Sequence, residues 1–142
     1  MTFKEKFKIF KKLEEVSKEV NKIKNINRGG CCVYAYNISK ILTKLKISHK
    51  VVIVDSYPMG VIESLVDGVF KGANHVLIYS NGFYIDSTGL STTYNRYGSK
   101  KKVDLDLVIL KKWAECRSIW NPTYSIRNNK KIEILCSQLE SD

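Results

Sequence analysis

Several features that would decide a function class early are missing from this 142-residue sequence. No run of apolar residues approaches the roughly 20 that a membrane-spanning helix needs. The opening stretch MTFKEKFKIFKKLEEV carries too many charges for the apolar region of a signal peptide. Internal repeats, low-complexity segments and domain linkers are also absent. These absences predict a single domain over residues 1–142, located in the cytoplasm. Hydrophobic residues make up 44% of the sequence, which suffices to form the core of one domain.

Arginine is scarce among the basic residues. The formal charge is +10, from 24 basic and 14 acidic residues, and only four of the basic residues are arginine. Because the planar fork of arginine suits bases and phosphates better than lysine does, nucleic acid stays open as a partner but is not indicated. The lysines fit a solvated surface or, as the alternative, a face for an acidic partner.

Cysteine pairs with CxxC spacing are absent as well. We therefore expect the four cysteines to be reduced thiols. A zinc site is a weak alternative, because no recurring ligand spacing supports it. Its ligands would be Cys31, Cys32, His75 and either Cys116 or Cys136. We expect no metal and no other cofactor.

Apolar spacing predicts most of the helices and strands. An amphipathic helix is predicted over 3–24, with an apolar stripe of Phe3, Phe7, Phe10, Leu13, Val16, Val20 and Ile23. It packs on the core or, alternatively, is a basic helix for a membrane surface or partner. The remaining predictions are a helix over 31–46, a strand over 49–56, an ambiguous helix or crossover over 58–72, a polar loop over 90–102, a helix from Asp104 or Asp106 to just before Pro122, and a hairpin turning at Asn128-Asn129 or a short helix within 123–142.

The stretch NHVLIYSNGFYIDSTG, residues 74–89, predicts a hairpin turning at Asn81-Gly82. Pairing outward from this two-residue loop fixes the register of both strands. Since side chains two residues apart share a face, His75 and Asp86 become diagonal neighbours on one face. The same face carries Leu77, Tyr79, Tyr84 and Thr88. A hydrogen bond between imidazole and carboxylate would orient the ring and stabilise its charged form.

A possible nucleophile lies in NRGGCCVYAYNISKIL, residues 27–42, where two glycines precede two cysteines at the predicted helix start. A thiol in the first turn of a helix lies near unpaired N–H groups and the positive end of the dipole, which favour the thiolate. Residues one apart on a helix point about 100° apart, so only one of Cys31 and Cys32 faces His75. With His75 and Asp86 this gives a nucleophile, a base and an orienting carboxylate, the set used in covalent acyl transfer.

These segments resemble the transglutaminase-like group of the papain-like cysteine enzymes. The group's nucleophile segment reads Gly, any residue, Cys, two residues, an aromatic and Ala, which Gly29, Cys31, Tyr34 and Ala35 match. The stretch HVLIYSNGFYIDST is similar to its histidine strand, turn and aspartate. This chain has Ser87 where the group usually has proline, and Leu77 where an aromatic often follows the histidine. The resemblance covers about residues 28–90.

The resemblance implies an α+β, papain-like fold in which a Cys-bearing helix packs on an antiparallel sheet that carries the His and Asp. It implies a catalytic triad of Cys31, His75 and Asp86 and selects Cys31 over Cys32. Papain-like enzymes often place an amide before the cysteine to help bind the oxyanion. Asn25 and Asn27 are candidates for that amide, together with the backbone N–H of Cys31.

The function expected from these residues is acyl transfer through a thioester, with hydrolysis of a peptide or protein amide by a peptidase or deamidase as the first choice. An acidic substrate would suit the positive charge. One alternative is a transglutaminase that uses the same triad with an amine as acceptor. A second alternative is a catalytically inactive binding module whose basic surface holds an acidic protein or nucleic acid.

Overall fold

The computed structural model describes residues 1–55, 73–94, 99–104, 106–120 and 123–140. The helices are α1 (Phe3–Asn21), α2 (Cys31–Lys44), α3 (Leu107–Trp120) and α4 (Asn128–Ser137); a π-helix (Ile26–Gly30) precedes α2 and a 3-10 turn (Gln138–Glu140) follows α4. The strands are β1 (Lys50–Asp55), β2 (Ala73–Ser80), β3 (Phe83–Asp86), β4 (Gly89–Ser91) and β5 (Ser99–Val103). The fold is therefore α+β, as the sequence predicts.

The five strands form one antiparallel sheet in the order β4-β3-β2-β1-β5. Strands β2 and β3 form the predicted hairpin, with Ser80 opposite Phe83 and Tyr79 opposite Tyr84. Its loop residue Asn81 has a φ of 51° and Gly82 has a φ of 84°. Positive φ at both positions is the requirement of a type I′ turn, which explains the Asn-Gly pair. The predicted register is confirmed.

Helix α1 begins with a side-chain cap, because Oγ1 of Thr2 accepts a hydrogen bond from the backbone N–H of Glu5 at 3.1 Å. Its predicted apolar stripe is buried from Phe10 onward through Leu13, Val16 and Val20, and Ile23 beyond the helix is buried too. The prediction is wrong for Phe3 and Phe7, which are 85% and 63% exposed. The ring of Phe10 packs against that of Phe83 in the sheet, with centroids 6.1 Å apart. The first two turns of α1, which carry Phe3 and Phe7, lie beyond this contact and are exposed to solvent.

Helix α2 is the central helix of the core. It packs against β2, α3 and α4, and most of its side chains are buried. The phenol of Tyr34 ties it to α1 through a hydrogen bond of 2.5 Å to the hydroxyl of Ser17. The cysteine end of α2 is therefore held against both the sheet and the N-terminal helix.

Two predictions around the edge of the sheet need correction. The predicted polar loop over 90–102 is wrong, because β4 and β5 occupy most of its described residues. Strand β4 is held by the carboxylate of Glu14, which accepts a hydrogen bond from the N–H of Leu90 at 2.7 Å. Strand β5 contains three consecutive lysines, which suit an edge strand paired with β1 on one side only.

The regular elements described after β5 are all helical. The helix predicted from Asp104 or Asp106 is confirmed as α3, and Oδ1 of Asp106 accepts a hydrogen bond from the N–H of Val108 at 2.6 Å. Of the two alternatives for 123–142, the helix is correct over Asn128–Ser137, and the hairpin is wrong because Asn128 begins that helix. The ambiguous segment 58–72 lies outside the described residues. No helix in the described part of the chain is long and apolar enough to cross a membrane.

Candidate active site

The imidazole of His75 and the carboxylate of Asp86 form a buried pair. Nε2 of His75 lies 3.0 Å from Oδ2 of Asp86, and the two residues are 0% and 7% exposed. The other carboxylate oxygen, Oδ1, accepts hydrogen bonds from the backbone N–H of Thr88 at 2.8 Å and from its hydroxyl at 2.5 Å. Both oxygens of Asp86 are engaged, so the orientation of the carboxylate toward the ring is fixed.

The electrostatics of this pair favour charge on both members. Burial raises the pKa of Asp86, but hydrogen bonds from His75 and Thr88 outweigh burial and hold it below its usual 3.8. Burial lowers the pKa of His75, yet hydrogen bonding to Asp86 and Cys31 and their negative charge raise it above 6.5. Asp86 is therefore ionised near neutral pH, and His75 readily holds a proton.

Cys31 is close enough to His75 for its thiol to interact with the imidazole. Nε2 is engaged by the carboxylate of Asp86, which leaves Nδ1 as the other ring nitrogen. Because Cys31 contributes to the raised pKa of His75 through hydrogen bonding and charge, we assign Nδ1 as the nitrogen facing the sulfur. The order along the site is thus thiol, imidazole and carboxylate. Both Cys31 and the neighbouring Cys32 are buried, at 3% and 0% exposure.

The approach to Cys31 differs from the expectation. Sequence reasoning places Cys31 in the open first turn of a helix, whereas the π-helix Ile26–Gly30 runs directly into α2. A π-helix pairs N–H groups with carbonyls five residues earlier, so Cys31 continues an existing helix and lacks the bare N–H groups of an isolated helix start. Stabilisation of a thiolate here depends mainly on His75. Because the backbone at Cys31 continues this helix, its N–H is less suited to bind an oxyanion than the N–H of an isolated helix start.

The two asparagine candidates have different roles. Asn25 adopts left-handed backbone, with φ of 60°, and its side-chain amide donates to the carbonyl of Thr123 at 2.6 Å. Asn27 lines the recess beside Cys31, and its Oδ1 accepts a hydrogen bond from the hydroxyl of Ser87 at 3.3 Å. The same hydroxyl lies 3.2 Å from Oδ1 of Asn21. The structure therefore brings Asn27 to the site and assigns Asn25 to holding the turn before the π-helix.

Tyr124 covers the backbone just before the cysteine. A Cβ atom on Gly30 would lie 2.6 Å from Cε1 of Tyr124 and 2.7 Å from Cδ1 of Ile26, so only glycine fits here without displacing them. Burial raises the pKa of the Tyr124 phenol, and the negative charge of Cys31 raises it further. Its hydroxyl donates to Oδ1 of Asn129 at 2.6 Å. Sequence reasoning missed Tyr124, although Gly30 signals a close approach of some other group.

The recess around the triad is closed. Its walls include Asn27, Cys31, Tyr34, His75 and Asp86, and it has no space for a water-sized sphere. The ring of Tyr94 lies parallel to that of His75, with an interplanar angle of 3° and centroids 6.0 Å apart. In this conformation the described walls leave no room for another molecule beside the sulfur.

A second depression, of about 280 Å³, lies between α2, β1 and the start of α3. Its lining includes His49, Ser39, Asp104 and Asp106. Nδ1 of His49 lies 3.0 Å from the carbonyl of Ile47, and Nε2 lies 2.7 Å from the hydroxyl of Ser39. A carbonyl only accepts, so we assign Nδ1 as the donor and Nε2 as the acceptor of the Ser39 hydrogen bond. Nowhere in the described ranges do three or more His, Cys, Asp or Glu side chains form a group that could hold a metal ion.

Comparisons with known proteins give no match: none to a protein-family model, none to a curated protein and none to a solved structure. The chemical interpretation of the site therefore rests on its own geometry.

Proposed function

We propose that this chain is a cysteine-dependent acyl-transfer enzyme with a papain-like, transglutaminase-like architecture, and that it hydrolyses an amide of a peptide or protein. The observation that supports this most is the position of His75, which lies between a fixed carboxylate and a thiol in a buried site. That order of three groups is the working arrangement of a cysteine nucleophile with its base and orienting residue.

The reaction starts from the ion pair of a Cys31 thiolate and a His75 imidazolium. The sulfur attacks the substrate carbonyl, an S–C bond forms, and the carbonyl oxygen becomes an oxyanion. As the C–N bond breaks, His75 gives its proton to the leaving amine, and a thioester remains on Cys31. Neutral His75 then takes a proton from water, whose oxygen attacks the thioester carbonyl. The C–S bond breaks, the carboxylic acid leaves, and the ion pair of Cys31 thiolate and His75 imidazolium is restored.

Two described side chains support these steps. Asp86 holds the imidazole through Nε2 at 3.0 Å and stabilises its positive charge. Asn27 lines the recess beside Cys31 and supplies its side-chain amide N–H to the oxyanion, while its Oδ1 accepts a hydrogen bond from Ser87. The formal charge of +10 favours an acidic peptide or protein as the substrate. A cytoplasmic location would keep the thiol reduced.

The second candidate is a binding module without turnover, and the closed recess is the observation that favours it. Cys31 is only 3% exposed, and the walls around the triad leave no room for a water molecule. In that case the basic surface would bind an acidic protein or nucleic acid, and Cys31 would act as a packing residue. A transglutaminase with the same triad differs from the hydrolase only in accepting an amine in the second step.

Alkylation and acylation of the native protein separate these candidates. We expect iodoacetamide near neutral pH to label Cys31 faster than the other cysteines, and p-nitrophenyl acetate to acetylate it with release of p-nitrophenolate. Cys31→Ala should remove both fast reactions, while Cys32→Ala, the matched control one residue away, should keep them. Cys136 should react slowly, because burial raises its pKa to about 12. Peptide mapping by mass spectrometry identifies the modified cysteine.

Two results would count against an enzyme. Equal labelling of all four cysteines only after denaturation would identify Cys31 as a packing residue. Fast alkylation without any acetylation would leave a reactive thiol without an acyl-transfer site. Adding a primary amine after acetylation then distinguishes transfer from hydrolysis, because an acceptor site gives the N-acetyl amine in place of acetate.

A further inference from the structure

The first two turns of α1 carry an apolar surface that the body of the protein does not cover. Phe3 and Phe7 lie four residues apart on one side of the helix and are 85% and 63% exposed. The stripe to which they belong is buried from Phe10 onward. Single exposed apolar residues are ordinary on protein surfaces, but two phenylalanines stacked along one helix edge form a continuous apolar ridge.

A row of lysines runs beside that ridge. Lys4, Lys8 and Lys11 recur at intervals of four and three residues, so they share one exposed side of α1, about 100° around the helix from the phenylalanines. Residues 3–12 contain five lysines and one acidic residue, Glu5. We call the five residues Phe3, Phe7, Lys4, Lys8 and Lys11 the aromatic–lysine strip.

The strip is presented on a formed helix. The cap at Thr2 closes the first turn, and the contact between Phe10 and Phe83 anchors the third turn to the sheet. Binding through the strip therefore needs no folding of α1, so the entropy of ordering the helix does not reduce the affinity. The helix is too charged to cross a bilayer, and it fits a position parallel to one.

We propose that the aromatic–lysine strip docks this protein on the surface of a bilayer that contains anionic lipids. The phenylalanine rings enter the boundary between headgroups and acyl chains, and the lysines lie against lipid phosphates. A bilayer suits both halves of the strip, because it offers an apolar phase directly beneath a layer of negative charge. A nucleic-acid duplex offers the charge without an accessible apolar phase, and helix α1 contains no arginine for bidentate contacts.

Sedimentation with lipid vesicles tests this proposal on the full chain. We expect binding to vesicles of equal parts phosphatidylcholine and phosphatidylglycerol, a decrease with added salt, and no binding to phosphatidylcholine alone. Phe3→Ala/Phe7→Ala should lower the partition coefficient at least about tenfold, since it removes most of the insertable apolar area. Lys4→Gln/Lys8→Gln/Lys11→Gln should abolish the preference for anionic lipid. Ile126→Ala/Ile134→Ala is the matched control, because these residues are 53% and 56% exposed elsewhere, and its binding should equal that of the wild type.

Other outcomes overturn the proposal. Equal binding to both vesicle types, or no binding to either, excludes an anionic bilayer surface as the target. If Phe3→Ala/Phe7→Ala binds the vesicles as well as the wild type, the binding depends on charge alone and the proposed insertion of the phenylalanine rings is wrong. A dimer that dissociates in the phenylalanine variant, detected by light scattering, would make the strip a contact between two copies of this chain. Circular dichroism checks that each variant is folded. Fast labelling of Cys31 should persist in the phenylalanine variant, so the test of membrane binding is independent of the test of the proposed catalytic function.

Discussion

The two histidines of this chain occupy contrasting surroundings. His75 is fully buried, contacts the carboxylate of Asp86 and faces the thiol of Cys31 beside a recess too narrow for a water molecule. His49 is half-buried at the edge of a depression of about 280 Å³, and its ring nitrogens face a backbone carbonyl and the hydroxyl of Ser39. The larger cavity therefore lies beside His49, whose hydrogen-bond partners are neutral, and only a narrow recess lies beside His75, whose partners are ionisable.

The comparison shows that the histidine beside the larger cavity is not the one whose partners can stabilise its charged form. A group that exchanges protons during a reaction needs partners whose charge stabilises one of its forms. His75 has two such partners, both able to carry negative charge. The nearest acidic residues around His49 are otherwise engaged, since Asp104 binds Lys50 at 2.6 Å and Asp106 caps α3. On this ground we assign the chemistry to the closed recess.

Exchanging each histidine for glutamine gives the largest expected contrast. In His75→Gln the thiol loses its imidazolium partner, and a free thiol with the reference pKa of about 8.5 is only about 3% thiolate at neutral pH. The rate of Cys31 alkylation near pH 7 should therefore fall by roughly thirtyfold. His49→Gln changes a side chain bonded to a hydroxyl and a carbonyl, and Cys31 should react at the wild-type rate.

The pH profile of alkylation checks the cause. In His75→Gln the rate should regain the wild-type plateau at alkaline pH, where the thiolate forms without help from an imidazolium. A rate that stays low at every pH would indicate that the substitution blocks access to Cys31. Equal losses in both histidine variants would remove the distinction between the two sites.

Asp86→Asn should have a smaller effect on the same reaction. The amide oxygen still accepts a hydrogen bond from the imidazole, but the negative charge that raises the pKa of His75 is lost. The pKa of His75 should fall, and Cys31 alkylation near neutral pH should slow by roughly tenfold, equivalent to ~1.4 kcal/mol. Asp104→Asn, at an exposed carboxylate paired with Lys50, is the control and should leave the rate unchanged.

Alkylation rates of both variants across pH, with circular dichroism to confirm folding, measure this effect. Superimposable profiles for the wild type and Asp86→Asn would leave Asp86 as a turn residue, a role that asparagine fills equally well. The site would then consist of a cysteine and a histidine only.

The hairpin and its diagonal pair could be predicted because the rules involved are local. The Asn81-Gly82 loop fixes the register, and the register puts His75 and Asp86 on one face without any knowledge of the rest of the fold. Apolar periodicity likewise predicts α1 and α2 within a few residues, and a capping aspartate followed by Pro122 predicts the ends of α3. The buried part of α1 and its exposed first turns have the same periodicity, however, so the sequence alone did not separate Phe10 from Phe3 and Phe7.

The parts that could not be predicted depend on long-range contacts. The π-helix before Cys31 is accompanied by the bond from Asn25 to Thr123, 98 residues away, and the cover over Gly30 comes from Tyr124. Strand β4 is held by Glu14 from a different element. Local sequence patterns do not contain these long-range pairings, so the sequence does not distinguish Asn25 from Asn27, and only the fold does.

The smallest expected effect concerns stability, and it tests the charge of the His75–Asp86 pair without any reaction. The pKa of His75 is raised, so the contribution of its proton to stability is present below 6.5 and is lost as the pH rises through the folded-state value. The pKa of Asp86 is lowered, so its contribution is present above 3.8 and is lost as the pH falls through the lower folded-state value. Both charges therefore stabilise the fold together in mildly acidic solution.

Urea unfolding of Asp86→Asn and its parent, both in a Cys31→Ser background that removes the titrating thiol, measures this contribution. At about pH 6 the substitution should lower the free energy of unfolding by about 1 kcal/mol more than it does at alkaline pH, because a hydrogen bond to a charged group contributes about that much more than a neutral one. Asp104→Asn should show no such pH dependence, since exposed ion pairs contribute little. A cost of Asp86→Asn that is equal at both pH values would mean that the imidazole is neutral in the folded protein, and the raised pKa of His75 would then depend on the thiolate of Cys31 rather than on the carboxylate.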